Sequence, residues 1–383
     1  MTSLHPEILD LIVELLHNEP ETLKACCIVS KAWIYRTRRH LFNQVKFRYQ
    51  YCHVSSWRET FPDPQNSPAH HTRILSIYLS KPITAADANK LLTFFRISHL
   101  GVDTLQWHHR KFSLLLLHSF SPTIRSLHLT FSCPHIPEIF DLICSFPVLE
   151  DLSLAGYGSR INSDVAWNAP STSPRLAGSL ELRGGGAMRL VADKLLDLPN
   201  GLQFEEFAVQ WFIPDGVRSA VILVSRCSKT LRSLKITNYL EGTLLRPWFS
   251  SDNFSPLRVD PFKGMALDLS KATKLKDLEF GCRKPNVKWI SAVLRAAQVK
   301  NLRSISLVLS RDSARITSIW ELSHHGWVAL DCLLVQLWTS YLLRPKLMYD
   351  STGGGGDLGC DVARLLPDST RGGIIDIVEG YEG

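Results

Sequence analysis

The sequence predicts an α/β protein in two parts: a short N-terminal module of three helices, then a long array of parallel strands alternating with helices, closed by a helical C-terminal cap. Three observations lead there. The stretch from Leu4 to Trp33, LHPEILDLIVELLHNEPETLKACCIVSKAW, carries more apolar side chains than so short a segment buries by itself. A phrase of the form apolar-x-x-apolar-x-apolar returns along the rest of the chain. Segments of helical period separate its copies.

The N-terminal helices come first. Pro6 suits a first helical turn, where its missing N–H costs nothing. Ile8, Leu9, Ile12, Leu15 and Leu16 then fall on one stripe, which Leu11 and Val13 widen. His17 and Asn18 interrupt, and Pro20 opens a second helix. There Leu23, Cys26 and Cys27 line one face, and Ile28 and Val29 line another. Trp33, Thr37 and Leu41 share a side of a third helix, whose outside carries Arg36, Arg38 and Arg39. One apolar face builds an internal core; the surplus predicts a partner.

These residues resemble the F-box, the helical module that binds a Skp1-type protein. The resemblance rests on "LHPEIL", "LKACCIVSKAW" and "HLF", which stand in family order between Leu4 and Val45. It is similar to the F-box-like variants abundant in fungi. The departures are His5, between Leu4 and Pro6, and the spacer "HNEPE" between the first two helices. The resemblance implies a Skp1-binding set of Leu4, Pro6, Ile8, Leu9, Ile12, Leu15, Leu16, Leu23 and Trp33. Two other readings compete. One is a helical hairpin that only caps the next domain. The other is a helix-turn-helix DNA reader, which needs polar base-reaching side chains that a merely basic third helix lacks. The aromatic interleaving in "QVKFRYQYCH" reads as an alternating strand. The module is expected over 1–48, with a linker over 49–73.

The repeated phrase follows. It reads Ile74, Ile77, Leu79; Val102, Leu105, Trp107; Ile124, Leu127, Leu129; Leu149, Leu152, Leu154; Ala177, Leu180, Leu182; Phe204, Phe207, Val209; Leu231, Leu234, Ile236; Leu275, Leu278, Phe280; and Leu302, Ile305, Leu307. The middle residues step by 28, 22, 25, 28, 27, 27, 44 and 27. The long step marks an insertion over 239–268, rich in Pro, Ser and aromatics. "ADANKLLTFFRI", "PEIFDLICSF", "AMRLVADKLLDL", "DGVRSAVILVSRC" and "VKWISAVLRAAQ" are the intervening helices. Strand, turn and helix at this period resemble a leucine-rich repeat, here expected over 74–349. One unit cannot bury its strand and its helix alone, so neighbours stack into a solenoid with the strands on its concave side. The usual Asn or Cys after the strand is replaced by Ser132, Tyr157, Tyr239, Arg283 and Ser310, so the array is expected to be irregular. An ordinary layered α/β domain is the alternative. "ALDCLLVQLWTSYLLRPKLMYDS" reads as a helix, a turn at Pro345 and a short strand. Residues 350–383 read as a Gly-rich loop and two capping helices.

Motifs of chemistry are scarce. "GGGDLG" at Gly354–Gly359 matches a dinucleotide fingerprint in letters, but no second strand follows to carry its acid. "RGGGAMR" has no P-loop ending, and no His-Glu-x-x-His occurs. The pairs His70/His71, His108/His109 and His324/His325 are adjacent, and neighbours do not converge on one ion. No catalytic residue, metal site or cofactor is expected. Composition is that of a folded chain, 45% hydrophobic and 21% charged, with a net charge of +7 spread along its length. Neither nucleic acid nor membrane is an expected partner, since no apolar run is long enough to span a bilayer. Nine cysteines without a Cys-x-x-Cys pair read as buried thiols of a reducing, intracellular compartment, cytoplasmic or nuclear. The opening residues lack a basic n-region, so no signal peptide is expected.

The expected function is that of a non-catalytic substrate adaptor. The F-box-like helices hold a Skp1-type protein and through it a cullin–RING ubiquitin ligase, as the resemblance implies, while the repeats hold an unknown protein target. Alternating outward positions nominate Arg125, His128, Glu150, Ser153, Arg232, Lys235, Lys276, Glu279, Arg303 and Ser306 for target contact. Their basic lean points to an acidic or phosphorylated target. The competing class is a structural interaction protein whose F-box-like segment serves no ligase.

Overall fold

Alternation and helical period become a parallel sheet with helices in its crossovers, as a βαβ chain requires. The computed structural model describes residues 5–47, 53–78, 84–104, 117–120, 122–132, 136–157, 174–184, 187–211, 215–238, 267–282, 287–297, 299–309, 324–349 and 364–379. The chain forms two compact units, residues 1–155 with 164–175, and 156–163 with 176–383.

The first unit opens with three helices, α1 (Pro6–Leu15), α2 (Pro20–Val29) and α3 (Lys31–Leu41). Pro6 and Pro20 each sit at a helix start, where the lost donor has no partner anyway. Strand β1 (Gln44–Phe47) follows α3 at once and pairs parallel to β2 (Ile74–Tyr78). Next come β3 (His99–Thr104), β4 (Ser126–Ser132) and β5 (Val148–Tyr157), in sequence order. Helix α4 (His53–Thr60) precedes β2, α5 (Ala85–Leu91) lies between β2 and β3, and α6 (Ile136–Ser145) between β4 and β5.

The stretch expected as a linker, 49–73, therefore contains α4 and two short 3-10 turns, Pro64–Asn66 and Pro68–His71. Trp57 of α4 packs among Phe42, Phe47, Phe61 and Phe94, with ring centroids 4.8 to 5.8 Å away. Arg58 of α4 pairs with Asp87 of α5 at 2.9 Å. The buried Lys90 ammonium donates to the Phe61 carbonyl, so its charge meets a main-chain dipole instead of hydrocarbon.

Register corrects two of the expected phrases. Val45, Leu75, Leu100 and Leu127 stand in line, with Phe47, Ile77, Val102 and Leu129 two residues on. All eight are buried. The first repeat is thus β1 itself, written Phe42, Val45, Phe47. In β2 the pattern begins at Thr72, a fully buried residue whose hydroxyl donates to the Phe42 carbonyl at 2.8 Å. A polar residue at an apolar position shifted the expected middle residue to Ile77. In β3 the buried phrase is Ile97, Leu100, Val102. The overlapping Val102, Leu105, Trp107 extends into residues outside those described.

The second unit repeats the scheme. Its strands are β6 (Arg175–Gly184), β7 (Gln203–Trp211), β8 (Ser233–Asn238), β9 (Asp277–Cys282), β10 (Ser304–Leu309), β11 (Lys346–Tyr349) and β12 (Asp376–Glu379). They lie in sequence order, each parallel to the next. Between them run α7 (Ala187–Leu196), α8 (Asp215–Cys227), α9 (Val287–Ala296), α10 (His324–Tyr341) and α11 (Pro367–Arg371). The inward line Leu180, Phe207, Leu234, Leu278 and Ile305 is buried throughout. The next residue along each strand, Glu181, Ala208, Lys235, Glu279 and Ser306, stays partly accessible, whereas Thr237, Gly281 and Val308 nearer the strand ends are buried. Strands in sequence order, all parallel and alternating with helices, make this an α/β architecture.

Neighbouring repeats are joined before the strand as well as along it. The Thr230 hydroxyl donates to the Phe204 carbonyl at 2.8 Å, and the Asn301 amide to the Thr273 carbonyl at 2.7 Å. These bonds satisfy carbonyls of the preceding repeat ahead of the next strand. Of the segment expected as two capping helices, the described residues are helical at 364–365 and again in α11, and the segment then ends on strand β12. The buried Asp331 of α10 accepts from the Asp368 and Ser369 amides at 2.9 Å each, which fixes the start of α11. The insertion, apart from its last two residues, and the Gly354–Gly359 loop lie outside the described residues.

Candidate functional site

The N-terminal helices hold one another through their inner seam. Leu9 (6% exposed), Val13 (1%) and Leu23 (1%) fill it. Arg36 of α3 pairs with Asp10 of α1, and His40 lies 3.4 Å from Glu14. The Cys27 thiol and the Thr37 hydroxyl share a hydrogen bond at 2.8 Å between α2 and α3. Tyr35 stands edge-on to His71 at 5.2 Å, which fastens α3 to the Pro68–His71 turn.

What this packing leaves uncovered is apolar. Ile8 (47% exposed), Leu11 (62%) and Leu15 (75%) run along α1 at i, i+3 and i+7, a single line. Ile28 (87%) and Val29 (72%) stand at the end of α2. Large side chains this bare and this close in sequence are the kind of surface a partner covers. Of the nine residues the F-box resemblance implied, Pro6, Ile8 and Leu15 are exposed, and Ile12, Leu16 and Trp33 are half-buried. Leu9 and Leu23 belong to the seam. Leu4 lies outside the described residues. Leu11, Ile28 and Val29 were not nominated, although their apolar excess was visible; only the packing of Leu9 and Leu23 shows which stripe turns outward.

The accessible strand face is a second surface in each unit. In the first, His128 and Ser153 meet, Nδ1 to Oγ at 2.7 Å, and Nε2 of His128 lies 3.3 Å from the Thr130 hydroxyl. The Asp103 carboxyl nearby is pushed up by burial, which the charge of His128 partly offsets. Arg125 and Glu150 stand at the strand entries, where the Glu150 amide donates to the Arg125 carbonyl at 2.7 Å.

In the second unit, Lys235, Glu279 and Ser306 share one row across β8, β9 and β10, and the Lys235 ammonium pairs with Glu279 at 2.9 Å. The same row carries Glu181, Ala208, Lys346 and Asp376, so its charges alternate in sign. The basic lean survives only at the strand entries. There Arg232, Lys276 and Arg303 follow one another, each amide bonded to the carbonyl of the preceding repeat. Arg232 is neutralised by Glu205 at 3.1 Å, while Lys276 and Arg303 form no ion pair among the described residues. Sequence reasoning missed Glu205, Lys346 and Asp376 because it followed the basic residues and two acids of the repeated phrase.

Among the described residues no three His, Cys, Asp or Glu side chains gather to hold a metal ion. No helix among them is long and apolar enough to cross a membrane. No protein-family model and no curated protein matches the chain.

Proposed function

We propose that the chain is a non-catalytic adaptor with the N-terminal helices as its partner-binding end. The observation that carries this reading is the bare apolar line Ile8, Leu11 and Leu15, with Ile28 and Val29, on a module whose seam is already filled. The F-box resemblance of the segment that carries them, with Ile8 and Leu15 in its implied set, supports a Skp1-type protein as the partner, and through it a cullin–RING ubiquitin ligase. The strand faces bind the target, and catalysis then consists of holding it near the transfer site. The mixed charges of the second unit favour a target with polar, alternating contacts over a uniformly acidic one.

Capture of a purified Skp1-type protein by the full chain tests the proposal. The variant is Leu11→Asp with Leu15→Asp, which alters the exposed line and spares the seam. Wild-type capture that the double variant abolishes, with unchanged helix content, is the expected result. Absence of wild-type capture, where a known F-box protein binds, overturns the ligase reading and leaves an interaction protein outside a ligase.

A further inference from the structure

Cations from separate parts of the first unit gather where the last turn of α3 packs on the Pro68–His71 turn. Arg38 and Arg39 come from α3, and Arg96 from the entry to β3. Their charges meet at the His71 ring. That ring lies 3.9 Å from the His70 ring, whose Nδ1 donates to the Ser67 carbonyl at 2.7 Å, and Tyr35 stands edge-on to it at 5.2 Å. The Arg73 guanidinium donates to the Arg96 carbonyl at 3.1 Å, which ties the β2 and β3 entries together. The Arg96 guanidinium lies 5.6 Å from the centre of the Phe95 ring. Arg39 and Arg96 are exposed, and Arg38 and His71 are half-buried, so the cluster is open to solvent.

No acid answers these charges. Arg38, Arg39, Arg73 and Arg96 form no ion pair among the described residues, and no carboxylate is among the charges that reach His71. The acids of α1 are turned to other cations, Asp10 to Arg36 and Glu14 to His40. The C-terminal dipole of α3 accounts for Arg38 and Arg39 in its last turn, but not for Arg96, which arrives from another repeat. Burial first, and then the four like charges, hold His71 neutral, at about 4. A neutral imidazole keeps one N–H donor, and the ring nitrogens of His71 have no hydrogen-bond partner among the described residues. Three guanidinium groups and one imidazole N–H offer donors alone, which suits a tetrahedral oxyanion with several acceptor oxygens. Tyr35 (68% exposed) and Phe95 (58%) flank them.

We propose that Arg38, Arg39 and Arg96, with His71 between them, form a binding site for a phosphate group. The guanidinium groups supply the charge and His71 donates its N–H to one phosphate oxygen. The flanking rings leave room for the phosphate to arrive free or as an ester. The inference does not depend on the ligase reading, because it uses neither the exposed line of α1 nor the outward face of the strands.

The test follows the His71 ring by NMR of the full chain carrying isotope-labelled histidine, with the signal assigned by its loss in His71→Gln. Inorganic phosphate is titrated at constant ionic strength against sodium chloride, and phenyl phosphate in a second series. Saturable binding at about 1 mM or tighter is expected. The bound anion favours the charged ring, so its proton affinity is expected to rise about tenfold. Arg39→Gln with Arg96→Gln is expected to weaken binding about tenfold or more, with dispersed ring signals showing that the variant is folded. Lys288→Gln with Arg295→Gln, two exposed cations of α9, is expected to change nothing. Saturation by either ligand supports the proposal, and the tighter of the two names the source, free phosphate or an ester. Equal shifts with chloride, indifference to the first pair of substitutions, equal weakening by the second, or no saturation by about 20 mM each overturns it.

Discussion

The exposed line on α1 and the filled seam behind it make opposite demands on leucine truncation. Leu23 is 1% exposed, so Leu23→Ala removes a fully packed side chain and leaves a cavity, a loss of about 3 kcal/mol. Leu15 is 75% exposed, so only about a quarter of a transfer energy near 2 kcal/mol is at stake. Alanine's higher helix propensity returns part of that, which leaves Leu15→Ala within about 0.5 kcal/mol of wild type. Hydrogen exchange of the amides of α1 to α3 reads the difference directly, because opening of this module sets their rate. Leu23→Ala should speed exchange by about two orders of magnitude, and Leu15→Ala by no more than about threefold. Comparable acceleration by both variants would show that Leu15 is covered within the chain, and the reasoning that bares it for a partner would fail.

Other consequences can be checked separately. Burial, then the charges of His70, Arg38, Arg96 and Arg39, hold the His71 imidazole down at about 4, against an ordinary 6.5. The unfolded chain therefore binds the extra proton, and stability present above pH 6.5 is lost as pH falls towards about 4. Solvent screening at this half-buried ring reduces the effect to about 1 kcal/mol, and His71→Gln should flatten the dependence of the urea midpoint on pH by that amount. Asp331→Ala leaves the Asp368 and Ser369 amides without their acceptor, at a cost of about 2–4 kcal/mol to the C-terminal repeat. Exchange of β12 amides should accelerate, and unchanged protection would refute the capping role. Gly184 sits at φ 131° with the Gly156 carbonyl oxygen 2.0 Å from where a Cβ would stand. Gly184→Ala should therefore cost more than about 2 kcal/mol in a thermal melt. Deleting residues 1–52 removes β1 and opens the ring cluster around Trp57, so the truncated chain should aggregate. A soluble, cooperatively folding fragment would show that β2 can serve as an edge.

The fold was legible in the sequence where local signals agreed. Helices α6 to α10 follow their periodic segments, and the strands from β4 to β10 follow the repeated phrase, because alternation and helical period express which face is buried. It was less legible where one residue broke the pattern. Thr72 hid the register of β2, since a buried hydroxyl bonded to a carbonyl packs where an apolar group was sought. Two overlapping phrases left β3 ambiguous, and pairing with β2 and β4 selected Leu100 and Val102. The end of the chain read as helix until β11 offered Asp376–Glu379 an open edge.

The candidate site divides the same way. Sequence alone determined that α1 and α2 carry more apolar surface than their own packing uses, because that is a count of residue types on a known period. It also determined which strand residues alternate outward. Only the tertiary structure decided that Leu9 and Leu23 turn inward while Leu11, Leu15, Ile28 and Val29 stay bare. It alone decided that Lys235 meets Glu279 and Arg232 meets Glu205, so that the strand face carries less free positive charge than its sequence implied. The physical reason is that periodicity names a stripe, whereas the partner of each side chain comes from a helix or strand far away in the chain.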